Sequence, residues 1–204
     1  TPEIFNNEFK ENARPVTYFS HKLDSTMYGN TYTDNEKSYI ELVGVNYTWD
    51  NVAHYWAKDG APYRLTQNMH VLASGNQSFA TLKIESGTTV EVNQDVNFEI
   101  SHDNGSHRGA LQAEGVTFTR GNGEVWSGLR FRPYTEDSES YLNNCIIEYA
   151  DNGVYCESSS PTLTNNIFRY NNDGVESDAG SIPKIFDNEF KENARPVTYF
   201  SHKL

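Results

Sequence analysis

Twenty residues of this chain occur twice. Ile4 to Leu23 reads IFNNEFKENARPVTYFSHKL, and Ile185 to Leu204 reads IFDNEFKENARPVTYFSHKL. Asn6 against Asp187 is the one difference, and Pro2 and Pro183 extend the match upstream. The copies lie 181 residues apart. Identity at that level implies a common origin. The chain therefore reads as a single module, 1–204, holding one tandem unit (4–184) and the first coil of the next (185–204). Repetition on this scale points to a solenoid or array in which each unit rests on its neighbours.

A shorter repeat of 21 to 23 residues lies inside the long one. Aligning Leu142–Ile147, Leu163–Phe168, Ile185–Phe190, Ile4–Phe9 and Met27–Tyr32 produces columns. The first is apolar: Ile4, Met27, Leu142, Leu163, Ile185. The next is mostly aromatic: Phe9, Tyr32, Ile147, Phe168, Phe190. Two are asparagine. Asn7, Asn30, Asn166 and Asn188 share a column with Cys145 as its exception; Asn12, Asn35, Asn171 and Asn193 share another, with Ala150 as its exception. A strand sends alternate side chains to one face, so a parity flip in the apolar pattern needs a corner. The flips fall at the Asn pair before Ile167 and at the Asn171–Gly174 run. Asn tolerates the left-handed conformation that corners use, and Gly adopts it freely. Each period is then a coil of short strands. Stacked coils pair in parallel about 4.8 Å apart, and like residues stack on like as Asn ladders do in cross-β assemblies. No 3.6-residue periodicity fills the second half of the period, which argues against a β-α horseshoe. The expected fold is all-β, with about eight coils per unit.

Acidic residues outnumber basic ones by 28 to 16, giving a formal net charge of -12. That balance argues against nucleic acid and anionic membrane surfaces as partners. No run of about 18 apolar residues is present to cross a membrane. Cys145 and Cys156 are too few for a disulfide framework and read as small buried thiols. Sequons begin at Asn46, Asn76 and Asn104, a pattern that suits a secreted chain.

Thr81-Leu82-Lys83-Ile84-Glu85-Ser86-Gly87-Thr88-Thr89-Val90 resembles a coil of the right-handed parallel β-helix superfamily, the group that holds pectate lyases and many surface repeat proteins. Gly109–Gly115, Trp126–Leu129 and Ile147–Ala150 follow in the order that group shows; Thr48-Trp49 and Ala61-Pro62-Tyr63 match its opening coil more loosely. The resemblance implies a right-handed parallel β-helix. It implies no single activity, because that fold hosts lyases, hydrolases, adhesins and spacers. Hydrolases of the group carry a Gly-His-Gly loop and an Arg-Ile-Lys segment, and neither stands in this sequence.

Asp151 and Asp173 fall near equivalent positions of adjacent coils, with Glu176 and Asp178 beyond, and could form a stacked acidic pair of the kind glycoside hydrolysis needs. Each precedes a glycine, so a turn role is expected instead. Glu136, Asp137 and Glu139 crowd one loop and make structural calcium the one candidate cofactor, with Asp151 and Asp173 as further weak metal candidates. His102 and His107 share a loop whose spacing fits no standard zinc pattern. Trp49, Tyr55, Trp56 and Tyr63 could stack on sugar, but packing over a coil is expected of them.

The expected role is structural: a repeat module of a long extracellular or cell-surface β-helical rod, filament or adhesin, without catalytic residues, whose partner is a further copy of itself. The ladder residues carry that role. A polysaccharide-binding or polysaccharide-degrading module, with carbohydrate as partner, is the alternative.

Overall fold

The structure, a computed structural model, describes residues 3–18, 26–43, 48–49, 53–73, 79–103 and 107–200. The sequons at Asn46, Asn76 and Asn104 lie outside the described residues. Turn-forming residues divide the chain every few positions, and short strands result. The first coils hold β1 (Glu3–Phe5), β2 (Glu8–Lys10), β3 (Val16–Tyr18), β4 (Thr26–Tyr28), β5 (Thr31–Thr33), β6 (Ile40–Leu42) and β7 (Thr48–Trp49). The middle coils hold β8 (Ala53–Trp56), β9 (Tyr63–Leu65), β10 (Met69–Ala73), β11 (Phe79–Ile84), β12 (Thr89–Val92), β13 (Phe98–Ile100), β14 (Arg108–Glu114), β15 (Thr117–Arg120) and β16 (Leu129–Phe131). A turn of 3-10 helix at Asp137–Glu139 precedes the last coils. These hold β17 (Tyr141–Asn143), β18 (Ile146–Glu148), β19 (Asn152–Cys156), β20 (Thr162–Thr164), β21 (Ile167–Arg169), β22 (Asp173–Ser177), β23 (Lys184–Phe186), β24 (Glu189–Lys191) and β25 (Arg195–Tyr199).

Every third strand pairs in parallel, which is the signature of a three-faced parallel solenoid. One face is an eight-stranded sheet, β3-β6-β9-β12-β15-β18-β21-β24. The second is seven-stranded, β7-β10-β13-β16-β19-β22-β25, and the third six-stranded, β8-β11-β14-β17-β20-β23. The pairs β1-β4 and β2-β5 form two small sheets at the N-terminal end.

The aligned columns stack as expected. Leu142, Leu163 and Ile185 share one register; Ile147, Phe168 and Phe190 share another. A single core cluster runs through the interior, with Leu82, Val90, Phe98, Phe118, Leu129, Leu142, Ile147, Val154, Leu163, Phe168 and Val175 fully buried. The count of coils differs from expectation. From Asn7 the corner steps through Asn30, Asp59, the turns at Gly87 and Gly115, Cys145 and Asn166 to Asn188, which is seven rungs. The middle coils are longer than the 21–23 residues of the ends, with hydrogen-bonded spacings of 27 to 29. Their interior holds Trp56, Tyr63, Phe98, Phe118, Trp126 and Phe131, and bulkier contents need a wider coil.

The corners explain the parity flips. The residue just before each position of the first Asn column turns left-handed: Asn6 φ 55°, Asn144 φ 54°, Asn165 φ 56°, and Asp187 φ 57°. The one substitution between the two copies therefore swaps two residues that both tolerate this conformation. At the second corner the left-handed residue is Glu11, Asp34, Tyr149, Tyr170 or Glu192, not a member of the Asn171–Gly174 run. Gly153 and Gly174 lie inside β19 and β22. A Cβ on Gly174 would sit 2.5 Å from the Pro196 carbonyl oxygen, and one on Gly153 2.6 Å from that of Gly174. Glycine there admits the neighbouring rung, not a bend.

The two copies of the repeated segment fold differently. In the C-terminal copy β23, β24 and β25 occupy all three long sheets. In the N-terminal copy only β3 enters a long sheet, and it is the eight-stranded one, whereas its twin β25 lies in the seven-stranded one. The step from Asn30 to Asp59 spans 29 residues against 23 for the step from Asn7 to Asn30, so the coil above the N-terminal copy has a different perimeter.

Candidate functional site

The Asn ladders are the most regular feature of the surface between coils. Each backbone N–H donates to the side-chain oxygen of the Asn one rung on: Asn7 to Asn30 at 2.9 Å, Asn12 to Asn35 at 2.9 Å, Asn166 to Asn188 at 2.8 Å and Asn171 to Asn193 at 3.0 Å. Each side-chain amide donates back, as Asn166 does to the Leu142 carbonyl at 2.9 Å and Asn171 to that of Ile147 at 3.0 Å. The exceptions fit the rule. The Cys145 and Ala150 N–H groups donate to Asn166 at 2.8 Å and Asn171 at 2.9 Å, and the ladders begin there. Rings stack beside them: Phe9 on Tyr32 at 5.1 Å and Phe168 on Phe190 at 5.2 Å. Phe168 is fully buried, and Phe9, Tyr32 and Phe190 pack against the core at its ends.

Asp59, which the column alignment did not include, continues the first ladder. Its carboxylate accepts from the Asn30 N–H at 2.9 Å, the Asn30 amide at 3.0 Å and the Tyr32 hydroxyl at 2.7 Å. Burial and that hydrogen bond push the Tyr32 phenol well above its usual range. Asp59 also lines a shallow pocket with Gly60, Pro62, Gly87 and Thr88. Only its place in the ladder, 29 residues after Asn30, could have signalled it, and that spacing departs from the local period.

The outer faces carry charge ladders that also escaped the apolar columns. On the eight-stranded sheet Arg64 donates to Glu91 at 2.6 Å, and Arg169 and Thr119 donate to Glu148 at 2.6 and 3.0 Å. On the seven-stranded sheet Glu99 is central. It lies 3.1 Å from His70, 3.5 Å from Arg130 and 3.6 Å from Arg132, while Arg130 reaches Glu157 at 2.8 Å. Burial alone would raise the Glu99 carboxyl, but His70, Arg132 and Arg130 together hold it below its ordinary value.

The weaker candidates scatter. Asp173 is almost fully buried at the start of β22, where Arg195 pairs with it and the Thr198 hydroxyl donates to it at 2.7 Å, so it clamps two rungs and is not a turn residue. Asp151 is exposed at the corner and accepts from Asn172 at 2.7 Å. Glu176 has its carboxyl raised by burial, then by Asp173, with Arg195 opposing. Glu136 pairs with Arg108, Asp137 accepts from the Ser160 N–H at 2.7 Å, and Glu139 accepts from Gln112 at 3.1 Å. The three carboxylates thus point to separate partners. Among the described residues no group of three His, Cys, Asp or Glu stands ready to hold a metal ion. Trp56 and Tyr63 are buried at 1% and 0% exposure, stacked on each other at 5.4 Å, so they pack inside the coil and offer no platform to a sugar. Tyr55 alone of that group is shown exposed; the Trp49 side chain lies outside the described residues. Both cysteines are free and buried, with burial pushing the Cys145 thiol up to about 11.

A family model described as the right handed beta helix region matches residues 64–203, more than half of the chain. No curated protein and no solved structure matches. Both enzymes and structural proteins share that fold, so the match decides architecture and handedness and leaves activity to the side chains.

Proposed function

Because the chain belongs to the right-handed β-helix family, we propose that it is a structural repeat module of a long extracellular β-helical rod, filament or surface adhesin, with units joined end to end. One observation carries this reading. The same twenty residues occur in two environments within one molecule. In the N-terminal copy β6 covers β3, and Val16 and Tyr18 are each only 8% exposed. In the C-terminal copy the twin of Tyr18, Tyr199, is 58% exposed, and Phe200 beside it is 54% exposed. The covered state of the N-terminal copy supports a further coil laid over the C-terminal one, there on the edge of the seven-stranded sheet, since β3 pairs in the eight-stranded sheet and β25 in the seven-stranded one. A following unit supplies that coil. Repeating the contact never closes a ring, so it generates a fibre, and it removes the open strand edges that would otherwise pair at random.

Electron microscopy of the native parent protein, with an axial power spectrum, tests this. Seven rungs of about 4.8 Å give a repeat near 34 Å along a thin rod. Isolated compact particles would refute the rod. Release of oligosaccharide from acidic or neutral polysaccharides by the purified chain would replace it with the enzymatic alternative.

A further inference from the structure

We propose that separate chains join by strand exchange: residues 185–199 of one chain take the place of residues 4–18 of another against the coil formed by β4, β5 and β6. The partner is a second copy of this chain, and the inference rests on the end-to-end reading above.

The chain carries one coil sequence twice, with Asn6 against Asp187 as the single difference. Three parallel pairings hold the first copy: Glu3–Phe5 on Thr26–Tyr28, Glu8–Lys10 on Thr31–Thr33 and Val16–Tyr18 on Ile40–Leu42. The ladders give this contact a direction. The Asn7 N–H donates to Asn30, and the Asn30 amide returns to the Ile4 carbonyl, each at 2.9 Å. Likewise the Asn12 N–H donates to Asn35 at 2.9 Å, and the Asn35 amide returns to the Phe9 carbonyl at 2.8 Å. Ile4, Asn7, Phe9 and Asn12 have identical twins in Ile185, Asn188, Phe190 and Asn193. Asn188 and Asn193 already accept from Asn166 and Asn171 on the rung before. The edge they turn to the far side is therefore the edge that β4–β6 hold in the first copy. Phe186 stands exposed there, whereas its twin Phe5 stacks on Tyr28 at 5.2 Å.

The two copies are held unequally. Among the described residues β1 and β2 pair only with β4 and β5, in two-stranded sheets, and Ile4 and Phe9 are half-buried. Strands β23 and β24 are end strands of the six- and eight-stranded sheets. Segments with few buried apolar contacts open at the lowest cost, so the first copy is the one that yields. Exchange conserves the contacts: Val197 and Tyr199 gain the cover that Val16 and Tyr18 give up. One coil is then left over. It recovers its conformational freedom, which offsets the freedom lost when two chains associate. Exchanging an identical element is a low-cost route to association, and a head-to-tail contact that does not close makes a fibre. At the joint β6 pairs with β25, so the seven-stranded sheet of one chain runs into the eight-stranded sheet of the next.

Light scattering of the whole chain, from micromolar to millimolar concentration, reads the association, and an average mass that climbs with concentration is expected. Glu8→Cys with Thr31→Cys, at exposed cross-rung neighbours on β2 and β5, allows a disulfide that ties the first copy in place. Oxidised, this variant should stay at the mass of one chain; reduced, it should associate as wild type does. Thr31→Cys with Glu189→Cys should instead link chain to chain on oxidation. Trypsin gives a readout without substitution: association should speed cleavage after Lys10 and slow it after Lys191. Association that survives the oxidised lock, or equal protection of the two lysines, would overturn exchange while leaving end-to-end stacking in place. A chain that stays single up to millimolar concentration would overturn exchange as well, and the covalent rod is judged separately, by the axial repeat of the parent protein.

Discussion

Replacing Asn166 with Ala probes the ladder where it is deepest. Asn166 is 1% exposed. Its amide donates to the Leu142 carbonyl at 2.9 Å, and its side-chain oxygen accepts from the Cys145 N–H at 2.8 Å. Alanine removes both bonds and leaves a buried carbonyl and a buried N–H without partners. Each unsatisfied buried group costs about 1–3 kcal/mol, so the expected loss for the two is about 2–6 kcal/mol. Asn12 makes the same kind of contacts at the exposed end, donating to Asn35 at 3.2 Å and to Lys10 at 3.1 Å, and water can replace them. Asn12→Ala should therefore cost about 0.5 kcal/mol or less, as surface substitutions usually do. Urea unfolding followed by tryptophan fluorescence measures both, with wild type alongside. Equal midpoints for the two variants, or a loss under about 1 kcal/mol for Asn166→Ala, would refute the view that the ladder holds the rungs by satisfying buried backbone groups.

Phe168→Ala should destabilise by about 3–5 kcal/mol, because the ring is fully buried and stacked; Phe190→Ala, at the end of the stack, should cost visibly less in the same denaturation. Gly128→Ala should cost about 3 kcal/mol or more, because its φ is 98° and a Cβ would fall 1.5 Å from the Asn152 carbonyl oxygen, a loss readable as a lowered thermal midpoint. Glu99 has a lowered carboxyl value in the folded state, so its contribution is present above the ordinary Glu range and disappears as pH falls through the folded value; Glu99→Gln should flatten the acid limb of a stability-versus-pH curve below about pH 4.5. Cys145 and Cys156 should resist alkylation at neutral pH until denaturant is added, since burial raises both thiols. Rapid labelling of the native chain would contradict their burial.

Much of the fold was legible because a solenoid writes its stacking into one chain. Leu142, Leu163 and Ile185 are neighbours in space and also equivalent in sequence, so alignment recovers the contact. The Asn columns were readable for the same reason. The middle coils were not, because their period stretches to accommodate Trp56, Phe98 and Trp126, and a fixed ruler of 21–23 residues overcounts them. Asp59 was hidden by that stretch, and Gly174 was misplaced because a glycine that yields to a neighbouring rung looks, in sequence, like one that turns a corner.

By itself, then, the sequence determined that this protein is a stack of coils of short parallel strands, which residues face inward, and that asparagines line the corners. Those properties follow from local periodicity, since each rung repeats the one before. Tertiary structure decided the rest: seven rungs per unit, the joining of Asp59 to the first Asn ladder, and the placement of β3 and β25 in different sheets. Identical segments carry identical local preferences, and what differs is the coil laid on top of each. Which face a strand joins depends on the perimeter of that neighbour, a quantity fixed by packed side-chain volume and not by the segment's own residues.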